Sequence, residues 1–147
     1  MAGFGLKRFL FFFGLLVVLS FTLDSQHSQY GITINKSIKK IDENLFEVSI
    51  DVHNGQIING IAKYEAKLPL SADFVKEVSK DKTVNLRVEK RKIKIIWMHL
   101  GNNNTYSTVF QMKSKRSIHK LKMIGDFHGH QEGLQFTLKD TTSFIVK

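Results

Sequence analysis

Alternation between apolar and polar side chains governs this chain from Gly31 onward. Phe46, Val48, Ile50 and Val52 interleave with Glu47, Ser49, Asp51 and His53. Successive side chains of an extended strand point to opposite faces, so this pattern gives a strand with one buried and one wet face. The same period returns in Val84, Leu86 and Val88, in Ile93, Ile95 and Trp97, in Tyr106 to Met112, and in Leu121 to Phe127. Turn-forming residues punctuate it. Asn54-Gly55 predicts a hairpin, Lys90-Arg91-Lys92 a tight basic turn, Gly101 to Asn104 a loop and His128 to Gly133 a turn. Pro69 ends a strand running from Ile57 to Leu68, because proline cannot donate to a ladder. Ser71 to Asp81 reads as either a capped short helix or a strand, and its β flanks favour the strand. The spacing gives about eight or nine strands, the number expected of a β-sandwich. The expected core comprises Phe46, Val48, Ile50, Leu86, Val88, Ile95, Trp97, Phe110, Met123 and Phe127.

Ahead of this region stands a different kind of sequence. Phe9 to Leu23 is a continuous apolar run behind Lys7 and Arg8, the charge order of a segment that enters a membrane in the secretory direction. At about 15 residues it matches a signal-peptide core more closely than the ~20 that span a bilayer. No A-x-A-like cleavage site follows it, so residues 1–23 are either a cleaved signal peptide or a retained N-terminal anchor. Residues 24–30 read as a polar linker and residues 31–147 as a single domain. The expected location is therefore exported: periplasm, cell surface or medium, tied to the membrane if the leader stays attached.

Charge and cysteine usage narrow the function. Beyond Leu23 the chain keeps 20 basic residues against 13 acidic ones. That excess favours anionic partners, and export argues against nucleic acid. There are no cysteines. The domain must therefore hold together by packing and strand pairing alone, without disulfides, thiol catalysis or thiolate metal ligation. The lysines of successive strands suggest where an anionic partner would sit. Lys92 and Lys94 share one strand face, as do Lys120 and Lys122, with Lys113, Lys115 and Arg116 between them in sequence. If their strands share a sheet, the wet face becomes a basic plate for glycan or lipid headgroups. Charged residues on strand surfaces also serve simply to solubilise a sheet and protect its edges.

Signatures of catalysis are missing. No G-x-S-x-G elbow, phosphate loop or marked carboxylate pair occurs, so no catalytic residue and no cofactor are assigned. His128 and His130, beside Glu132, have the composition of a metal site, but a turn there would splay them apart.

One ordered set of residues carries a resemblance: Gly55-x-Ile57-x-x-Gly60-x-Ala62-Lys63-Tyr64, then Leu68-Pro69, Lys92 to Trp97, and Ile124-Gly125-Asp126-Phe127. It resembles small exported bacterial β-sandwich modules of the immunoglobulin-like and cohesin-like kind, over about residues 31–147. The resemblance implies a single antiparallel sandwich that binds, spaces or assembles rather than catalyses. The expected function is thus a non-catalytic, exported or envelope-anchored module for protein interaction. A carbohydrate- or anionic-lipid-binding module using the basic sheet face is the alternative, and a metal-dependent or other enzyme comes third.

Overall fold

The structure is a computed structural model, described here for residues 25–29, 31–55, 58 and 60–145. The hydrophobic run Phe9 to Leu23, Ile57 and Val146 lie outside the described residues. No helix occurs among the described residues, so none is long and apolar enough to cross a membrane. The described residues form ten strands: β1 (Ser25–Gln29), β2 (Ile32–Asp42), β3 (Leu45–Asn54), β4 (Ala62–Lys67), β5 (Ala72–Lys80), β6 (Val84–Glu89), β7 (Lys92–Trp97), β8 (Asn104–Ser114), β9 (Lys120–Gln131) and β10 (Leu134–Ile145). They form two five-stranded antiparallel sheets, ordered β1-β2-β3-β8-β5 and β10-β9-β4-β7-β6. The fold is a β-sandwich.

Alternation translates directly into layering. Along β3 the odd-numbered residues lie toward solvent, while Phe46, Val48, Ile50 and Val52 are buried. Opposite them the second sheet contributes Tyr64, Ile93, Ile95, Trp97, Leu121, Met123, Phe127 and Phe144. The Trp97 indole is fully buried, with its ring centroid 5.9 Å from that of Phe127. Each such large side chain contributes roughly 1.5–3 kcal/mol by leaving water, enough in number to replace the missing disulfides.

The segment from Ser71 to Asp81 is a strand, β5, and it lies at the edge of the first sheet. Several local expectations are corrected. Ser25–Gln29, read as linker, pairs with β2 as an edge strand, because backbone hydrogen bonding needs no apolar pattern in the sequence. Asn54-Gly55 makes no hairpin. Asn54 is buried and donates through Nδ2 to Leu100 O at 3.2 Å and Gly101 O at 3.1 Å, so its amide holds a distant loop. The chain then leaves for the other sheet, where β4 lies between β7 and β9. Leu86 is only half-buried and Val88 is 37% exposed, because β6 is an edge strand that its own sheet covers on one side alone.

His128 and His130 fall within β9 rather than in a turn. Gly129 between them gives room to an aromatic ring, since a Cβ there would come within 2.7 Å of Phe136 Cζ. The turn itself is Glu132-Gly133, both at positive φ (53° and 79°).

Candidate functional site

Lysine and aspartate on the inward faces of strands are the first unexpected feature. Lys36 follows Ile32 and Ile34 along the buried face of β2 and precedes Ile38. Asp140 lies between Leu138 and Phe144 on the buried face of β10, with Thr142. The two belong to opposite sheets, and Lys36 Nζ stands 2.7 Å from Asp140 Oδ2, with both residues at 3% exposure or less. Tyr64, from β4, donates its hydroxyl to the same oxygen at 2.9 Å, and Thr142 donates to Asp140 Oδ1 at 3.2 Å. Desolvation pulls the Lys36 ammonium below the usual lysine range, and its hydrogen bond and attraction to Asp140 oppose that fall. Burial first, and then the Asp140 charge, push the Tyr64 phenol far above its ordinary value, so it stays a donor.

Tyr64 reaches Asp140 across an intervening strand. Gly125 of β9 pairs with Ala66 of β4 on one side and with Asp140 of β10 on the other. A Cβ at Gly125 would lie 2.2 Å from the Tyr64 hydroxyl, so only glycine lets the ring cross. The resemblance in the sequence rested partly on Ala62-Lys63-Tyr64 and Ile124-Gly125, and the fold brings these two segments into contact. Neither Lys36 nor Asp140 was singled out from sequence. The available signal was a lysine in phase with three isoleucines and an aspartate in phase with Leu138 and Phe144.

The basic residues are arranged around one end of the sandwich. Lys92 and Lys94 of β7 and Lys120 and Lys122 of β9 share the second sheet, with β4 between them. Lys67 of β4 pairs with Lys92 on one side and with Ile124, two residues beyond Lys122, on the other. Lys113 belongs to β8 in the first sheet, while Lys115 and Arg116 lie in the connection to β9. The backbone N–H of Lys115 bonds to Ser71 O at 2.7 Å, which brings that connection to the corner between β4 and β5. The cations therefore come from both sheets and share an end rather than a single face.

Carboxylates break up the middle of that sheet face. Glu65 pairs with Lys63 at 3.1 Å, and Glu89 with Lys94 at 2.6 Å. Partial burial pushes the Glu65 carboxyl up, but Lys63, Lys94 and Lys92 together outweigh this and hold it below the usual range. Arg91 is engaged internally. Its guanidinium donates to Pro69 O and, at 3.0 Å, to Ala72 O, and it faces Asp73 at 3.4 Å. It thereby fixes the Leu68-Pro69 corner where the chain passes between sheets. Lys67, Lys90 and Lys92 have no ion-pair partner among the described residues. These three, with Arg91, Lys94 and Glu89, line a groove of about 610 Å³ whose apolar part is Leu68 and Leu70. Leu70 is 85% exposed.

Among the described residues no three His, Cys, Asp or Glu side chains come together as a metal site. His128 instead shares a hydrogen bond with Thr137 Oγ1 across the β9–β10 pair, at 3.0 Å.

Similarity to solved structures is confined to architecture. The chain is similar to the full-length major pilin SpaD of Corynebacterium diphtheriae, with a TM-score of 0.62 at 14% identity over 78% of this chain and 35% of that one. It is also similar to the collagen-binding domain of the Erysipelothrix rhusiopathiae surface protein RspB, with a TM-score of 0.62 at 9% identity over 80% of this chain and 46% of that one. A cohesin module from a Clostridium perfringens family 33 glycoside hydrolase matches with a TM-score of 0.52 and 18% identity, over 78% of this chain and 95% of that one. The fold is that of immunoglobulin-like β-sandwich modules. The chain spans about a third of the full-length SpaD structure and just under half of the RspB structure. No protein-family model matches it, and no curated protein matches it in sequence.

Proposed function

We propose that this protein is a non-catalytic, extracytoplasmic interaction module whose basic end binds an acidic protein partner. The observation that carries the reading is the groove at the β4–β5 corner, where Lys67, Lys90 and Lys92 surround Leu68 and Leu70. Three cations without ion-pair partners among the described residues, beside an 85% exposed leucine, combine a charge to be neutralised with an apolar side chain to be covered. A polypeptide surface offering carboxylates around an apolar residue supplies both, and clustering like charges serves recognition and association rate. The solved relatives named for collagen binding or as cohesin and pilin modules add support by analogy of fold, which by itself does not fix function. The leader Phe9 to Leu23 supports export, and its retention would anchor the module to the membrane.

A second reading is supported by Lys113, Lys115, Arg116, Lys120 and Lys122 on the far side of the same end. They widen the basic surface toward a flat anionic layer of lipid headgroups or acidic glycan. One experiment separates the two. The full-length chain, immobilised from detergent, is exposed to envelope extract and, separately, to anionic liposomes and acidic polysaccharide. Capture of a discrete protein that is lost in the Lys67→Glu, Lys90→Glu, Lys92→Glu variant supports the protein partner. Retention on liposomes or glycan that is lost only when Lys113, Lys115, Lys120 and Lys122 become Glu favours the second reading. Equal capture by all variants refutes both.

A further inference from the structure

The edge of the second sheet at β6 joins an unbroken backbone ladder to inner-facing apolar side chains that are incompletely covered. β10, the opposite edge of that sheet, buries Leu138, Asp140, Thr142 and Phe144 on its inner face and shows Thr137, Lys139, Thr141 and Ser143 outward. β5 is interrupted by two register shifts, between Phe74 and Lys76 and between Glu77 and Ser79. Bulges of this kind twist an edge away from pairing. β1 is polar throughout. β6 pairs with β7 in unbroken register from Val84 to Glu89. On an edge strand, alternate residues turn their N–H and C=O groups away from the sheet, where another extended chain can reach them. Its inner-facing side chains are incompletely covered: Leu86 is half-buried and Val88 is exposed, and Val75 and Val78 are exposed on β5 beside it. Its outer face carries Arg87, and it runs into the groove lined by Lys90, Lys92 and Lys67.

We propose that β6 accepts an extended segment of a partner protein as an eleventh strand, and that this segment alternates apolar and acidic residues. The backbone of β6 supplies ladder hydrogen bonds. Apolar side chains of the segment cover Leu86 and Val88, while its carboxylates meet Arg87 and continue over Lys90 and Lys92. Main-chain pairing gives affinity in such additions, and alternate side-chain positions give selectivity. The pattern asked of the partner is therefore a period of two, apolar and acidic, over about six residues. This inference rests on the reading of the basic end as the partner-binding end and adds the conformation and sequence pattern of what binds.

The test uses the full-length chain in detergent and synthetic peptides that alternate Val and Glu, the same residues in blocks, and Glu alone. The alternating peptide binds at least about tenfold more tightly than the other two and slows amide hydrogen exchange across Val84 to Glu89. N-methylation of alternate peptide amides weakens it by at least about tenfold in one of the two registers, since each lost ladder bond is worth roughly a fivefold change. Arg87→Glu weakens it about three- to fivefold, and Thr141→Ser, exposed on the opposite edge strand β10, leaves binding and the β6 exchange pattern of the complex unchanged. Equal binding of alternating and blocked peptides, or indifference to N-methylation in both registers, overturns strand addition. If the Lys67, Lys90, Lys92 charge reversal still abolishes capture of an envelope protein, the basic-end reading survives that result. If no peptide binds at all, the proposal fails whatever happens to envelope capture.

Discussion

The two flanks of this sandwich are closed by opposite means. On one flank β2 and β10 face each other across the interlayer gap, and Lys36, Asp140, Tyr64 and Thr142 fill it with a polar cluster. On the other flank β5 and β6 come together with Val75, Val78 and Val88 still partly in water. The first has removed two charges from solvent and must keep them matched. The second has left apolar surface unmatched, and that surface adjoins the groove lined by Lys67, Lys90 and Lys92. Interior polar groups of this kind specify one arrangement of the sheets, whereas exposed apolar groups on an edge invite another chain. The contrast separates what maintains the fold from what is free to bind.

The largest expected effect breaks the polar flank. Lys36→Ala or Asp140→Ala leaves the surviving charge buried and alone, a loss of about 3–5 kcal/mol of stability by urea denaturation. The Lys36→Met, Asp140→Leu pair removes both charges and should recover most of that loss, because apolar residues of similar volume replace buried ion pairs at little cost. A double variant as unstable as the single ones would mean that the polar bonds of the cluster themselves hold the site, since Tyr64 and Thr142 then lose their acceptor while the volume is kept. Gly125→Ala comes next. Its new methyl group meets the Tyr64 ring, so overpacking should cost about 1–3 kcal/mol, and in a Tyr64→Val background the same Gly125→Ala change should cost much less.

Proton linkage at Tyr64 gives an intermediate effect with a definite sign. The phenol titrates near its ordinary value of 10.0 in the unfolded chain and well above it in the folded one. Between those values the folded state binds the extra proton. Its contribution to stability is thus fully present below about pH 10 and declines above it by roughly 1.4 kcal/mol per pH unit. Comparing wild type with Tyr64→Phe at pH 9, 10 and 11 isolates the slope, and equal slopes in the two would remove Tyr64 from the cluster. The smallest effect is expected on the open flank. Val78→Thr and Val88→Thr should change stability by no more than about 0.5 kcal/mol, since both side chains are already partly in water. A loss above 2 kcal/mol would show that this flank is a sealed part of the core and would dissolve the contrast.

Strand interiors were legible in the sequence because strict alternation has only one structural meaning over six or more residues. β3, β7, β8 and the first half of β9 follow it residue by residue. Connections were harder. Asn54 has the residue type of a hairpin turn, but its side-chain amide finds two carbonyls some 46 positions away, and local preference yields to that long-range bond. Gly129 suggested a break where the sheet needed space for Phe136. The edge strands were the least visible, since β1 has no apolar pattern and β6 has one that is only half used. Lys36 and Asp140 were masked by residue type: each is charged, and charged residues are ordinarily placed outside. Only their phase within the apolar rows of β2 and β10 gives them away. The lysines were recognised as a group, whereas their gathering around one end depends on strand order, which alternation does not encode.

The Lys36–Asp140 contact also has a temporal consequence. It joins positions 104 residues apart and needs β10, which follows the other nine described strands along the chain. Until that strand docks, the β2 row carries a cation facing an unfinished interior, and sealing it early is unfavourable. Completion of the domain is thereby deferred until β10 is in place, so the interior closes in one late step rather than sheet by sheet.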